Sequence, residues 1–431
     1  MSNNAIKELG KKILFTLSLL FLFRLGSFIP VPGIDGIELD KIYQKSEGSV
    51  IGVLNMLSGG SLARMSVFAL AIMPYITASI IVQLLSSLYT PLIEMKKEGS
   101  SGRAKLSQIA RYLTLLFATF QAYGLSVGLE SFGNAYGVSL ITIDLKIFRF
   151  ISVLTLVVGT FILMWIGEQI STKGIGNGTS LIIFVGIVVG LPKAITTLFE
   201  LSRNAVMPPY VLVLVFLGVI FLISFIIFFE RSQKRLLIIY PKRQVGNKLY
   251  GGDSNYMPLK INTAGVIPPI FASSILLFPS TIAAFNPNSS SKILWFFSNY
   301  LSHGKLLFIL LYIVFIVFFC FFYSNIVFNV EEVAQNLKKQ NAYIPGIRPG
   351  KNTADYLSSV IRRLTILGGA YLSFVCVVPE ILMHQYSFSF ALGGTSFLIV
   401  VNVVMDSFVQ IQTSMFSSRY ENLVKKMKLR K

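Results

Sequence analysis

Ten apolar stretches divide this chain, at residues 13–30, 67–88, 112–129, 148–166, 179–199, 209–229, 264–284, 306–328, 365–383 and 394–412. Each is long enough to cross a bilayer as a helix, and Lys and Arg concentrate in alternate gaps between them. With the N-terminus cytosolic, 28 of the 38 basic residues fall on the inner face: before the first span, in the 2/3, 4/5, 6/7 and 8/9 loops, and in the tail. The reverse orientation places most of the +19 excess outside, against the bias of short loops towards positive charge on the cytoplasmic side. The pattern predicts a multi-pass, all-α membrane protein with both termini cytoplasmic.

With 54% hydrophobic and 13% charged residues in 431, the chain reads as one membrane-embedded body rather than a string of soluble domains. The first apolar stretch follows Lys7, Lys11 and Lys12, but Arg24, Pro30 and Pro32 make a poor cleavage region, so it reads as a retained span. Cys320 and Cys376 both sit in apolar spans and read as small buried hydrophobes. The basic excess could serve anionic lipid, RNA or an acidic protein partner, and topogenesis accounts for part of it. Loop length separates these readings. The segments near 230–263 and 329–364 are longer than topogenesis needs and are expected to form docking surfaces.

Five spans precede Pro208-Pro209 and five follow, which divides the chain into halves 1–207 and 208–431. An odd number per half requires any structural repeat to be inverted in the membrane. One match supports a repeat: Met73-Pro74-Tyr75-Ile76-Thr77-Ala78-Ser79-Ile80 aligns with Ile267-Pro268-Pro269-Ile270-Phe271-Ala272-Ser273-Ser274. Pro74 and Pro268 are expected to interrupt their spans beside a central path. Ahead of span 2, Val53-Leu54-Asn55-Met56-Leu57-Ser58-Gly59-Gly60 is too short to cross. It either lies on the outer surface or folds back into a cavity.

Several ordered segments carry a family resemblance. They are Phe23-Arg24-Leu25-Gly26-Ser27-Phe28-Ile29-Pro30-Val31-Pro32-Gly33, Asn55-Met56-Leu57-Ser58-Gly59-Gly60 and Phe68-Ala69-Leu70-Ala71-Ile72-Met73-Pro74-Tyr75-Ile76. Gly167-Glu168-Gln169-Ile170, Gly174-Ile175-Gly176-Asn177-Gly178, Ala264-Gly265-Val266-Ile267-Pro268, Pro345-Gly346-Ile347-Arg348-Pro349-Gly350 and Gly393-Gly394-Thr395-Ser396 follow in order. Together they resemble the SecY family, channel subunits of the bacterial Sec translocon.

The resemblance implies two inverted five-helix halves around an hourglass pore, closed by an aliphatic ring and a plug. It maps the ring onto Ile72, Ile76, Thr179, Ile183, Ile270 and Ile399, with Thr179 a departure from the usual aliphatic residue. A narrow apolar constriction excludes water and ions without offering fixed hydrogen bonds to a passing chain. The resemblance also maps the plug onto about residues 52–62 and a lateral gate onto spans 2 and 7, with Thr77, Gln83, Gln121, Asn262 and Phe278 near the seam. Docking of a SecA motor or a ribosome is implied at Arg348, and at Lys242, Arg243 and Lys248 in the 6/7 loop. Small SecE and SecG subunits, signal peptides, unfolded preproteins and anionic lipid complete the implied partners, in a bacterial plasma (inner) membrane.

Without the resemblance, Arg348 sits in a turn stiffened by two prolines and two glycines, either solvated or presented for docking. Arg24 inside span 1 either snorkels, makes a buried structural bond or carries function. Gly174-Ile175-Gly176-Asn177-Gly178 has the look of a phosphate loop, but no Lys-Ser/Thr follows. No P-loop, metalloprotease, nucleophile-elbow or paired-carboxylate pattern occurs, so neither an enzyme nor a cofactor is expected. The rival reading is a secondary transporter of a small solute, which expects ionisable coupling residues at mid-span. Such residues are nearly absent here.

Overall fold

The computed structural model describes residues 3–36, 38–39, 55, 58–138, 140–204, 208–240, 243–245, 248–250, 254–285, 305–386 and 393–428. Its helices are α1 (Asn3–Gly26), α2 (Met73–Leu88), α3 (Thr90–Lys97), α4 (Ser100–Tyr136), α5 (Leu145–Lys173), α6 (Gly178–Arg203) and α7 (Pro209–Arg231). After four strands come α8 (Ile267–Phe285), α9 (Leu306–Val327), α10 (Val330–Lys339), α11 (Lys351–Tyr386) and α12 (Gly394–Lys428). Each of the ten apolar stretches falls on one of these helices. Among the described residues, seven helices are long and apolar enough to cross a membrane, or eight if the bent pair α2–α3 is one span.

The prolines act differently from the expectation. Residues 58–72 run as successive turns, and α2 begins only at Met73 with Pro74 in its first turn. Pro268 is likewise the second residue of α8. Neither interrupts a helix; each opens one, where its missing N–H is no loss and its fixed φ is already helical. A third proline, Pro91, opens α3 after extended Tyr89, and α3 leaves α2 at 96°.

Helices α4, α11 and α12 hold 37, 36 and 35 residues. At 1.5 Å per residue each spans about 52–56 Å, well beyond a hydrocarbon core of ~30 Å.

The chain packs as two compact units, one of Met1–Leu212, Ser274–Phe308 and Glu380–Lys431, the other of Val213–Ser273 and Ile309–Pro379. In the first, α4 packs on α2 and α5, α5 on α6, and α1 and α6 on α12. Its core joins Leu62, Met65 and Ala69 of the turn segment to Ala122, Leu125 and Leu129 of α4 and Phe148 and Leu156 of α5.

In the second unit, the 6/7 loop is a hairpin. Strand β1 (Gln233–Ile239) pairs antiparallel with β4 (Ser254–Lys260), and β2 (Arg243–Val245) with β3 (Lys248–Tyr250). Leu236 and Ile238, two apart and hence on one face, are buried. They join the 8/9 segment: Leu236 packs with Ile344 and Leu357, and Ile238 with Leu337 and Ala342. A bridge between Ile239 and Tyr343 ties the two loops. The two long loops are therefore one folded body.

Candidate channel elements

The pre-span segment is built by its own polar side chains. Asn55 Oδ1 accepts from the Ala63 N–H at 2.7 Å, and the Ser58 hydroxyl donates to the Asn55 carbonyl at 2.8 Å. Ser58, Ser61 and Leu62 are buried, so this end of the segment lies inside the first unit. Gly59, at φ +67°, comes so close to α6 that a Cβ there would lie 3.1 Å from the Gly186 Cα. Glycine is needed at 59 both for that backbone angle and for the approach. The plug positions Val53, Leu54, Met56 and Leu57 lie outside the described residues.

Of the expected ring, Ile72, Ile183 and Ile399 are buried and Ile76 is half-buried, all in the first unit; Ile270, also half-buried, belongs to the second. Ile72 caps the N-terminus of α2, and its carbonyl accepts from the Ile76 N–H at 3.1 Å. Thr179 is the second residue of α6. Its hydroxyl donates to Asn177 Oδ1 at 2.8 Å, and its methyl is 3.4 Å from where a Cβ on Gly167 would sit. Both branches of that side chain are committed to the α5–α6 turn. Two turns further along, Ile187 is fully buried beside Gly186. Ile187 stands four residues beyond Ile183, on the same helical face.

The glycine-rich loop 174–178 is closed from within. Ile175 N–H donates to Thr16 Oγ1 at 3.1 Å, Gly176 N–H to Gln410 Oε1 at 2.7 Å, and Gly178 N–H to Ser171 Oγ at 2.8 Å. Asn177 Oδ1 accepts from the Thr179 N–H at 3.2 Å. The donors that would hold an anion are spent. A Cβ on Gly178 would collide with the Gly167 carbonyl, so glycine here lets α5 and α6 touch.

The gate candidates divide. The Thr77 hydroxyl donates to the Met73 carbonyl of its own helix at 3.1 Å. Asn262 is buried and donates to Glu230 at 2.7 Å and to the Gly265 carbonyl at 3.0 Å, a brace at the root of the hairpin. Gln83 is exposed on α2 and Gln121 half-buried on α4. Phe278 lies on α8, and its side chain is outside the described part.

At the expected docking loops, Arg348 is exposed between Gly346 (φ +79°) and Gly350 (φ +109°), and its carbonyl accepts from the Thr353 hydroxyl at 2.9 Å. Ile344 and Ile347 anchor the turn in the loop core. Arg231, Lys234 and Arg235 are exposed at the hairpin base. Arg243 lies on β2 and Lys248 on β3, next to Val245 in the register; Lys242 lies outside the described residues. Glu168 receives a two-toothed pair from Arg111 at 2.8 and 2.9 Å. Among the described residues, no group of three His, Cys, Asp or Glu could hold a metal ion.

The SecY family profile matches residues 66–408. A protein translocase subunit SecY from Rickettsia typhi is 58% identical over 429 residues, covering 100% of this chain and 99% of that one. This chain belongs to the SecY family. The Escherichia coli SecY subunit is 48% identical over 430 residues, covering 100% of this chain and 97% of its own.

Solved structures share the fold. A protein-conducting channel superposes with a TM-score of 0.66 at 18% identity, covering 94% of this chain and 92% of that one. Sec61 from a canine ribosome–channel complex gives 0.63 at 17% identity, with the same coverage of both chains. A SecY structure described as showing that its plug domain stabilises the closed state gives 0.63 at 19%, again with 94% and 92% covered.

Proposed function

We propose that this chain is the protein-conducting channel subunit of a Sec translocase. It passes unfolded secretory proteins across the membrane and releases transmembrane segments sideways into lipid. The observation that carries the reading is the buried segment ahead of α2, whose Gly59 rests against Gly186 two turns inside α6. A small-solute transporter has no use for a detachable stopper of this kind, and nothing favours that alternative.

In this reading residues 52–62 are the plug. Ile72, Ile76, Ile183, Ile270 and Ile399 form the ring, with Ile187 rather than Thr179 as the sixth member. Arg348 and the basic hairpin dock a SecA motor or a ribosome, whose acidic surface or RNA such charge attracts. SecE and SecG brace the complex in a bacterial inner membrane with both termini cytoplasmic. The channel carries out no chemistry of its own, so partners supply the work.

The test is to arrest a secretory polypeptide in the assembled complex and probe crosslinking from Ile76→Cys and Ile270→Cys. Adducts from both positions are expected. If neither captures the arrested chain, the conducting path is wrong.

A further inference from the structure

Arg24 is a charge within the first apolar span, in the last turn of α1. Its Nη1 donates to the Gly59 carbonyl at 2.8 Å and to the Ser27 hydroxyl oxygen at 3.2 Å. The guanidinium carbon stands 4.6 Å from the Phe28 ring centroid, and that of Arg64 stands 4.4 Å from the same ring. A Cβ on Gly59 would lie 3.1 Å from the Gly186 Cα and 3.8 Å from Arg24 Nη1. Gly59 thus meets both a cation on α1 and the bare backbone of α6.

The bonds that shape the segment lie within it. The Ala63 N–H to Asn55 Oδ1, the Gly60 N–H to the Asn55 carbonyl at 2.8 Å, and the Leu62 N–H to Ser58 Oγ at 3.2 Å are all local to this stretch of chain. The Arg24–Gly59 bond differs, because it crosses from the segment to α1. It is charge-assisted and therefore stronger than a neutral bond. Its acceptor is a neutral carbonyl and not a carboxylate, so separation leaves no buried anion behind.

We propose that Arg24 is the latch of the resting channel, a positioning residue that holds the plug seated through the Gly59 carbonyl. The inference rests on residues 52–62 being a plug. Gly59 takes a φ of +67° and its carbonyl accepts from Arg24, and Gly186 is the seat against which the latch closes.

The test uses the assembled complex with Cys320→Ala and Cys376→Ala, and Ser61→Cys as reporter. Ser61 is fully buried and its hydroxyl has no partner, so cysteine there breaks no bond. Labelling by a membrane-impermeant maleimide added outside reads plug release, and conductance of the empty channel in planar bilayers reads the leak. Arg24→Gln is expected to raise both about tenfold, the scale of losing one charge-assisted bond. Arg24→Lys, which keeps the charge but loses the planar fork, is expected to raise labelling roughly threefold. It decides the matter if Arg24→Gln does not assemble. Gly186→Val, which spoils the seat without touching Arg24, is expected to leak as well. Leak from Gly186→Val with parental behaviour in the Arg24 variants overturns the latch and leaves the plug standing. Parental behaviour in all three overturns the plug reading itself.

Discussion

At the scale of single residues, Thr179 and Ile187 show what a linear pattern leaves open. Thr179, Ile183 and Ile187 share one face of α6 by spacing alone, so spacing does not decide whether Thr179 or Ile187 stands beside Ile183 in the proposed ring. The choice depends on what holds Thr179: its hydroxyl bonds the Asn177 amide oxygen, and its methyl leaves little room for a side chain at position 167. Thr179→Ile is therefore expected to leave the conductance of the empty channel unchanged. Ile187→Asn, by hydrating an apolar constriction, is expected to raise it severalfold. Single-channel recording in planar bilayers checks both, and the opposite ranking refutes the assignment of Ile187. The glycine loop was legible only as an exclusion, because Thr16 and Gln410, which spend its donors, lie far away in sequence.

At the scale of elements, hydropathy located the membrane helices because bilayer thickness imposes their length. It misjudged the start of α2, where the apolar run 67–72 continues into turns that pack as core. The hairpin strands were not foreseen. Leu236 and Ile238 alternate over too few residues to stand out, and the partner surface comes from the 8/9 segment. That shared core bears on docking. Arg348 projects from a turn whose Ile344 and Ile347 are fixed in it, so changing the exposed arginine leaves the body intact. Arg348→Glu is expected to preserve assembly and thermal stability while reducing motor-driven export by more than tenfold, the scale of reversing a buried interface charge. Export of a model preprotein into inverted vesicles measures it, and normal export removes Arg348 from the docking site.

At the scale of the whole molecule, the boundary at Pro208-Pro209 was read from span number, yet the first compact unit draws on both sides of it. Residues 1–212 are completed by 274–308 and 380–431, and α12 supplies Gln410 to the 4/5 loop. Residues 208–431 expressed alone are therefore expected to be degraded. Co-expression with 1–207 is expected to restore a stable pair that co-purifies. Survival of the second half by itself, followed by pulse-chase, counts against this mutual dependence. Orientation is the reading that leans least on the fold, because charge bias needs no tertiary information.

The Arg348 turn ends at Gly350, and α11 starts at the next residue, running for 36 residues with Pro379 inside its far end. Whatever grips that tip holds the end of a rod about 54 Å long whose far portion is sunk in the bilayer. A push on the arginine, pivoting about the hairpin that clasps the rod near its top, becomes a tilt at membrane depth. A force applied at that turn would therefore reach the apolar part of the same helix directly.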